Sequence, residues 1–239
     1  MCAVWYTVEM YGVLYVIATP IGNLGDVSFR AVEMLRSVHS IFCEDTRVTR
    51  KLLSHYDVRT PCISYHSFST FRKVERAAGL LKKGEDVALV SDAGTPTVSD
   101  PGARFVREMR TILPGVQVRA IPGPSALVAA LSISGAPASS FVFFGFLPRK
   151  KGREMMFQEI AAEERTSVLF EAPHRLLKTL QSLHDCLAPE KEVSVAREMT
   201  KVYEQVQTGT IDEVLQYFQE HPDEVRGEIT IIISMLKRV

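Results

Sequence analysis

Apolar, β-branched runs alternate along this chain with stretches in which apolar residues recur every three to four positions. Val13 to Ala18, Ser40 to Cys43, Val87 to Val90 and Val118 to Ile121 are near-continuous apolar runs, the pattern of parallel strands covered on both faces. Between them Phe29, Val32, Met34 and Leu35 keep helical spacing behind Ser28, whose hydroxyl suits a helix N-cap. Phe71 to Leu81, Ala103 to Met109 and Ser125 to Ile133 continue the pattern. Strand and helix in alternation predict βαβ units on a parallel sheet. Residues 134 to 140 are small, breaker-rich and uncharged. The chain is therefore expected to divide there into an N-terminal α/β domain over 1–134 and a C-terminal α/β domain over 135–239. In the second half strands are expected at Phe141 to Phe146, Ser167 to Phe170, Val193 to Ala196, Val202 to Gln207 and Ile229 to Ser234. Helices are expected near Met155 to Glu163, Leu176 to Cys186 and Asp212 to Glu220. With fewer helices between its strands, that half is expected to hold a mixed sheet.

The 239 residues carry 28 Lys+Arg against 28 Asp+Glu, which excludes a protein held to nucleic acid by its global field; any such partner must be met locally. Cys2, Cys43, Cys62 and Cys186 are too far apart for a CxxC pair and read as reduced thiols. The six histidines show no HExxH spacing, so no metal is expected. Glu9 and Gly12 interrupt the early apolar residues around Trp5 and Tyr6, and no stretch is long enough to span a bilayer, so a cytoplasmic protein without a membrane partner is expected.

Ligands of open parallel sheets bind beyond the carboxyl ends of the strands, so the chemistry should lie in the loops that follow them. The first loop, Thr19 to Asp26, together with Glu44 invites a dinucleotide-binding reading. Gly22 and Gly25 have the wrong spacing for it, and Pro20 removes a backbone donor that a pyrophosphate would need. The third loop, Ser91 to Gly102, reads SDAGTPTVSDPG, with Pro101 placed to start a helix and Asp100 to cap it. It is longer than a simple turn requires and rich in small, rigid residues, which suits close approach of a ligand to the backbone. Pro122, Gly123, Pro124 and Ser125 make a stiff turn into a helix N-terminus, where free amides suit a carboxylate.

The segments LYVIATPIGNLGD, EDTRVTRKLL, SYH, DAGTPTVSDPG, IPGPSAL, GFLPRKKG, FEAPHR, AREMTK and RGEI, in this order, resemble the tetrapyrrole methylase superfamily, and within it the ribosomal RNA small subunit methyltransferase I group. Ala172 stands where the group often has serine, and Met1 to Tyr11 precede its usual start and are given no role. The resemblance implies two α/β domains, the N-terminal sheet mostly parallel and the C-terminal one mixed, with a cofactor cleft between them. It implies S-adenosylmethionine as cofactor, a homodimer, and 2′-O-methylation of a cytidine in small-subunit ribosomal RNA. The superfamily's cofactor contacts fall on Pro20, Asp92, Ala93, Gly94, Thr97, Ser125, Ala126, Phe170, Glu171 and Gly209. A carboxylate and an amide-rich turn suit a cofactor with an ammonium, a carboxylate and ribose hydroxyls, and Asp92 suits either the ammonium or the hydroxyls.

Arg149, Lys150, Lys151 and Arg153 concentrate positive charge at the entry to the second half. Arg47, Arg50 and Lys51, with Arg175 and Arg197, could extend it into a phosphate-binding patch, while His174 and Arg175, which begin a helix, fit packing and capping as well as contact with an RNA backbone. Three function classes fit: an RNA ribose methyltransferase, a tetrapyrrole methyltransferase and a non-catalytic nucleotide-binding module. The basic segment favours the first. The leaving thioether takes no proton but the ribose hydroxyl must lose one, and Glu44, Asp45, His66 and Lys201 are the candidate bases by residue type.

Overall fold

Among the residues described by the computed structural model, 11–66 and 71–235, ten strands form two five-stranded sheets. Cys2 and the stretch around Trp5 and Glu9 lie outside these residues. The chain divides into two units, Met1–Ser125 and Ala126–Val239.

In the first unit the strands are β1 (Leu14–Ile17), β2 (Ser40–Cys43), β3 (Cys62–Ser64), β4 (Val87–Leu89) and β5 (Val118–Ile121). They lie in the order β3-β2-β4-β1-β5, all pairings parallel. The helices α1 (Phe29–Ser37), α2 (Thr46–His55), α3 (Arg72–Lys82) and α4 (Gly102–Ile112) connect them. The central strands β1, β2 and β4 are covered on both faces, and alternation assigns their residues to two cores, whereas the edge strand β5 exposes Arg119 and Ala120. Tyr15, Ile17, Ile41, Cys43 and Ala88 pack with Leu35 of α1 and Leu52 and Leu53 of α2. Leu14, Phe42, Val87 and Leu89 pack with Val74 and Leu81 of α3 and Phe105 and Met109 of α4. Ser28 caps α1 as its position suggests, accepting from the Ala31 amide at 3.1 Å.

The second unit begins with α5 (Ala126–Ser134), followed by β6 (Phe141–Phe146), α6 (Arg153–Ala162), β7 (Thr166–Glu171), α7 (Leu176–His184), β8 (Lys191–Arg197), β9 (Gln205–Thr210), α8 (Ile211–Glu220) and β10 (Ile229–Met235). The sheet order is β6-β7-β10-β8-β9; only β6 and β7 pair in parallel, so the sheet is mixed. The units part at Ser125 rather than at the 134–140 linker because α5 packs on β8, β9 and β10, burying Ala130 and Leu131. The strand expected at Val202 to Gln207 starts later, at Gln205. Glu198 and Thr200 have left-handed backbones (φ 50° and 67°) and turn the chain before it. A structural core forms where Leu169, Val193, Val195, Ile231 and Ile233 meet Leu180 and Leu183 of α7 and Val214 and Phe218 of α8.

Candidate active site

Because every strand of the first sheet runs the same way, the loops after β1, β2, β3, β4 and β5 emerge at one edge. The loop after β4 is pinned to the loop after β1. Thr19 and Gly94 exchange backbone hydrogen bonds at 2.9 and 3.1 Å, the Thr19 hydroxyl donates to the Ser91 carbonyl at 3.1 Å, and the Ser91 hydroxyl donates to the Gly94 carbonyl at 3.1 Å. Thr95 donates to the Pro124 carbonyl at 3.0 Å, which ties in the turn after β5. Gly94 sits at φ 78°, and a Cβ there would lie 3.2 Å from Ile21 Cγ2 and 3.6 Å from the Pro124 carbonyl, so glycine is needed for both conformation and space. Thr97 and Ser99 also adopt left-handed backbones, φ 79° and 64°, without being glycine. Such strain persists only where surroundings impose it. Here Asp100 imposes it, accepting from the Thr97 amide at 2.8 Å and the Gly102 amide at 2.6 Å. The N-cap position of α4 is Pro101 rather than Asp100, and Asp100 instead clamps the loop and accepts from the first amide of the helix, a role its place before Pro101 did not reveal.

Glu44, Asp45, His66 and Asp92 meet at this edge. The Asp45 amide donates to Asp92 Oδ1 at 2.9 Å. Burial, together with repulsion from Asp45 and Asp100, raises the Asp92 carboxyl above the ordinary range despite that bond. Burial likewise raises Glu44, aided by Asp92 and Asp100 and opposed by His66, which lies exposed after β3. Asp45 is different. Its carboxylate caps α2 through the Arg47 amide at 2.8 Å and pairs with the Arg47 guanidinium at 2.6 Å, which holds it down at about 2. Asp45 is therefore a cap and an anion rather than a base, and Arg47 is engaged locally by it. Pro20 is half-buried and Ala93 exposed beside Gly94. Gly123 has a packing reason for being glycine, since its Cβ would stand 3.0 Å from that of Ala18. Ser125 ends this unit and Ala126 opens α5 in the other.

In the second unit the structure revises several expectations. Glu171, 2% exposed, accepts from the Ala172 amide at 2.8 Å and from the Thr179 hydroxyl at 2.5 Å, and it pairs with Arg175 at 3.0 Å and Arg153 at 3.6 Å. Arg153 also donates to Thr179 at 2.7 Å and to the Pro148 carbonyl, and Arg175 donates to the Leu147 carbonyl at 2.7 Å. Glu171, Arg153 and Arg175 are thus an internal network, since a buried charge must be paired. The basic segment keeps Arg149, Lys150 and Lys151 exposed, and His174 is exposed as well. Arg197 leaves the patch too: it is 4% exposed, its Nε donates to Gln205 at 2.6 Å, and its Nη1 has no hydrogen-bond partner among the described residues. Lys201 donates to Glu198 at 2.7 Å and Glu228 at 3.1 Å. Burial would lower it, but these carboxylates outweigh burial and raise it, so Lys201 is a cation and not a base. Gly209 leaves room for Glu213, whose Oε2 would be 2.6 Å from a Cβ and which closes the capping box of α8 with Thr210. Phe170 is half-buried edge-on to Phe143, ring centres 4.9 Å apart. The turn of Arg153 toward Glu171, the bond from Arg175 to the Leu147 carbonyl and the packing of Phe170 on Phe143 were not legible, because they depend on partners far away in sequence.

Residues 13–215 match the family Tetrapyrrole (Corrin/Porphyrin) Methylases. The chain is similar to the ribosomal RNA small subunit methyltransferase I of Synechocystis sp., 46% identical over 93% of this chain and 79% of that one. It is also similar to those of Thermotoga maritima (41%, covering 93% and 98%) and Bacillus subtilis (42%, covering 93% and 75%). Among solved structures it resembles a uroporphyrin-III-C-methyltransferase from Thermus thermophilus (TM-score 0.65, 17% identity, covering 94% and 95%). It also resembles cobalt precorrin-4 methyltransferase (TM-score 0.65, 16% identity, covering 92% and 94%). At those identities the structural neighbours speak for the fold, whereas the sequence relatives speak for the group. The chain belongs to the tetrapyrrole methylase family and, within it, to the ribosomal RNA small subunit methyltransferase I group.

Proposed function

We propose that this protein transfers a methyl group from S-adenosylmethionine to the 2′-hydroxyl of a cytidine in small-subunit ribosomal RNA. The coarser activity, S-adenosylmethionine-dependent methylation of ribosomal RNA, follows from its membership of the group. The observation that carries the reading is the strained, pinned loop after β4, set beside two carboxyls raised by burial. The loop fits the cofactor: Gly94 presents bare backbone where a side chain would intrude, and Asp92 has one oxygen on the Asp45 amide while the other accepts no hydrogen bond among the described residues. Pro20, Ala93, Gly94, Thr97 and Ser125 would hold the cofactor through close backbone contact, and Asp92 would meet its ammonium or its ribose hydroxyls.

When bound, S-adenosylmethionine supplies an electrophilic methyl carbon on a sulfonium and a neutral thioether leaving group. The protein's part is then positioning and one proton. Glu44 is assigned as the acceptor of the ribose proton, because its raised carboxyl is a stronger base than Asp45, held low by Arg47. Arg149, Lys150 and Lys151 are assigned to RNA phosphates. Cytoplasmic residence and a homodimer belong to the same reading.

Mapping ribose methyl groups on small-subunit ribosomal RNA from cells with and without the gene tests this. One cytidine should lose its 2′-O-methyl group and regain it on complementation by the wild type but not by Glu44→Gln. A lost mark on a base atom, or no lost mark, would overturn the proposal.

A further inference from the structure

Helix α2 starts at Asp45, whose amide is bonded to Asp92, and leads away from that carboxylate cluster. Its inner face buries Thr49, Leu52 and Leu53, and its outer face presents Arg47, Arg50, Lys51, Ser54 and His55, a row about 12 Å long at ~1.5 Å per residue. The helix contains no acidic residue. Arg59, exposed after its end, extends the row. Arg47 is taken by Asp45, but among the described residues Arg50, Lys51 and Arg59 take part in no ion pair.

Two open hollows flank the row. One, of about 570 Å³, lies among Leu24, Arg47, Arg50, Lys51 and His55. The other, of about 500 Å³, lies between Arg50 and Arg59 and includes a single carboxylate, that of Asp57. In a chain of zero net charge this is a local concentration of cations. The face offers no open aromatic platform for bases: His55 packs edge-on to Tyr56 at 4.7 Å, and the Tyr56 hydroxyl donates to the Leu24 carbonyl at 2.7 Å. Cations without stacking rings suit a phosphate backbone rather than splayed single-stranded bases.

We infer that the outer face of α2, with Arg59, is a second RNA-binding surface that holds the phosphate backbone of double-helical RNA beside the nucleotide being methylated. It rests on the reading of the protein as an RNA methyltransferase. It adds a contact independent of sequence, separate from the Arg149 to Lys151 segment, that sets where the duplex leaves the carboxylate cluster.

The test compares the wild type, the triple variant Arg50→Gln/Lys51→Gln/Arg59→Gln and the variant Arg149→Gln/Lys150→Gln/Lys151→Gln. Each is titrated with a mixed-sequence RNA hairpin and with an unstructured RNA strand across a salt series. Loss of three phosphate contacts at ~0.7–0.9 each should flatten the slope of log affinity against log salt for the hairpin by about 2 units in the α2 variant. The unstructured strand should be affected less, and S-adenosylhomocysteine affinity, which reports an intact fold, should be unchanged. If the wild type binds hairpin and the α2 slope is unchanged, this surface is refuted while the proposed function stands. If the α2 variant instead loses affinity for an acidic peptide but not for RNA, the face belongs to a protein partner. If the wild type binds no RNA, both readings fall.

Discussion

At the residue scale the proposed chemistry rests on Gly94 and Glu44. Gly94→Val forces a β-branched side chain into a left-handed backbone and against Ile21, so it should cost about 1–3 kcal/mol of stability and abolish S-adenosylmethionine binding. Calorimetry on the folded variant checks this, and undiminished affinity would move the site elsewhere. Glu44 makes the opposite trade. Burial and its acidic neighbours raise its folded pKa above the unfolded value, so the wild type is penalised as pH rises from about 4.3 through that raised value and stays penalised above it. Glu44→Gln escapes the penalty. Its melting temperature should therefore exceed the wild type's at neutral pH, the difference should vanish near pH 4, and methyl transfer should be lost; thermal melts across pH decide it. Equal melting temperatures at every pH would show that Glu44 is not under this pressure. The loop composition after β4 was legible because glycine, proline and aspartate in that density announce a special backbone. That Thr97 and Ser99 share the left-handed conformation was not, since neither type favours it.

Local pattern decides most of the elements. Apolar runs locate β1, β2 and β4 because strands covered on both faces have no polar side to show, and they locate β5 at the sheet edge although it exposes Arg119. β3 has three residues behind Pro61, too short for any period to register. The end of β9 and the start of α8 form a unit of their own. Thr210 caps the helix, Glu213 returns to the Thr210 amide at 2.8 Å, and Gly209 leaves the space in which it does so. Thr210→Ala and Gly209→Ala should each cost about 1 kcal/mol, and together less than the sum, because both disable one capping box. Denaturant melts of the two single variants and the double variant check this; full additivity would give Gly209 a separate purpose. Arg153 shows the limit of local reading. A basic run looks the same whether its last arginine faces phosphate or turns inward, and only the fold brings Glu171, 18 residues on, to Arg153.

For the whole molecule, charge and ligand chemistry set the expected responses. Among the described residues no group of three His, Cys, Asp or Glu side chains is placed to hold a metal ion, and no helix is long and apolar enough to cross a membrane. Because a thioether leaving group needs no Lewis acid, methyl transfer to an RNA whose own fold needs no magnesium should survive a chelator undiminished; activity lost on chelation and restored by zinc alone would refute this. The order of the first sheet bears on how the protein is made. β1 lies between β4 and β5, so Leu14–Ile17 has no neighbour until residue 89 has left the ribosome, and it lacks its second until residue 121 has. At ~5–20 residues per second the first wait is on the order of 4–14 s, whereas collapse of a chain this size takes up to ~100 μs. For all of that time an apolar segment has no strand to pair with, the exposure that chaperones answer. The pace of translation, rather than the speed of strand pairing, sets when the first sheet closes.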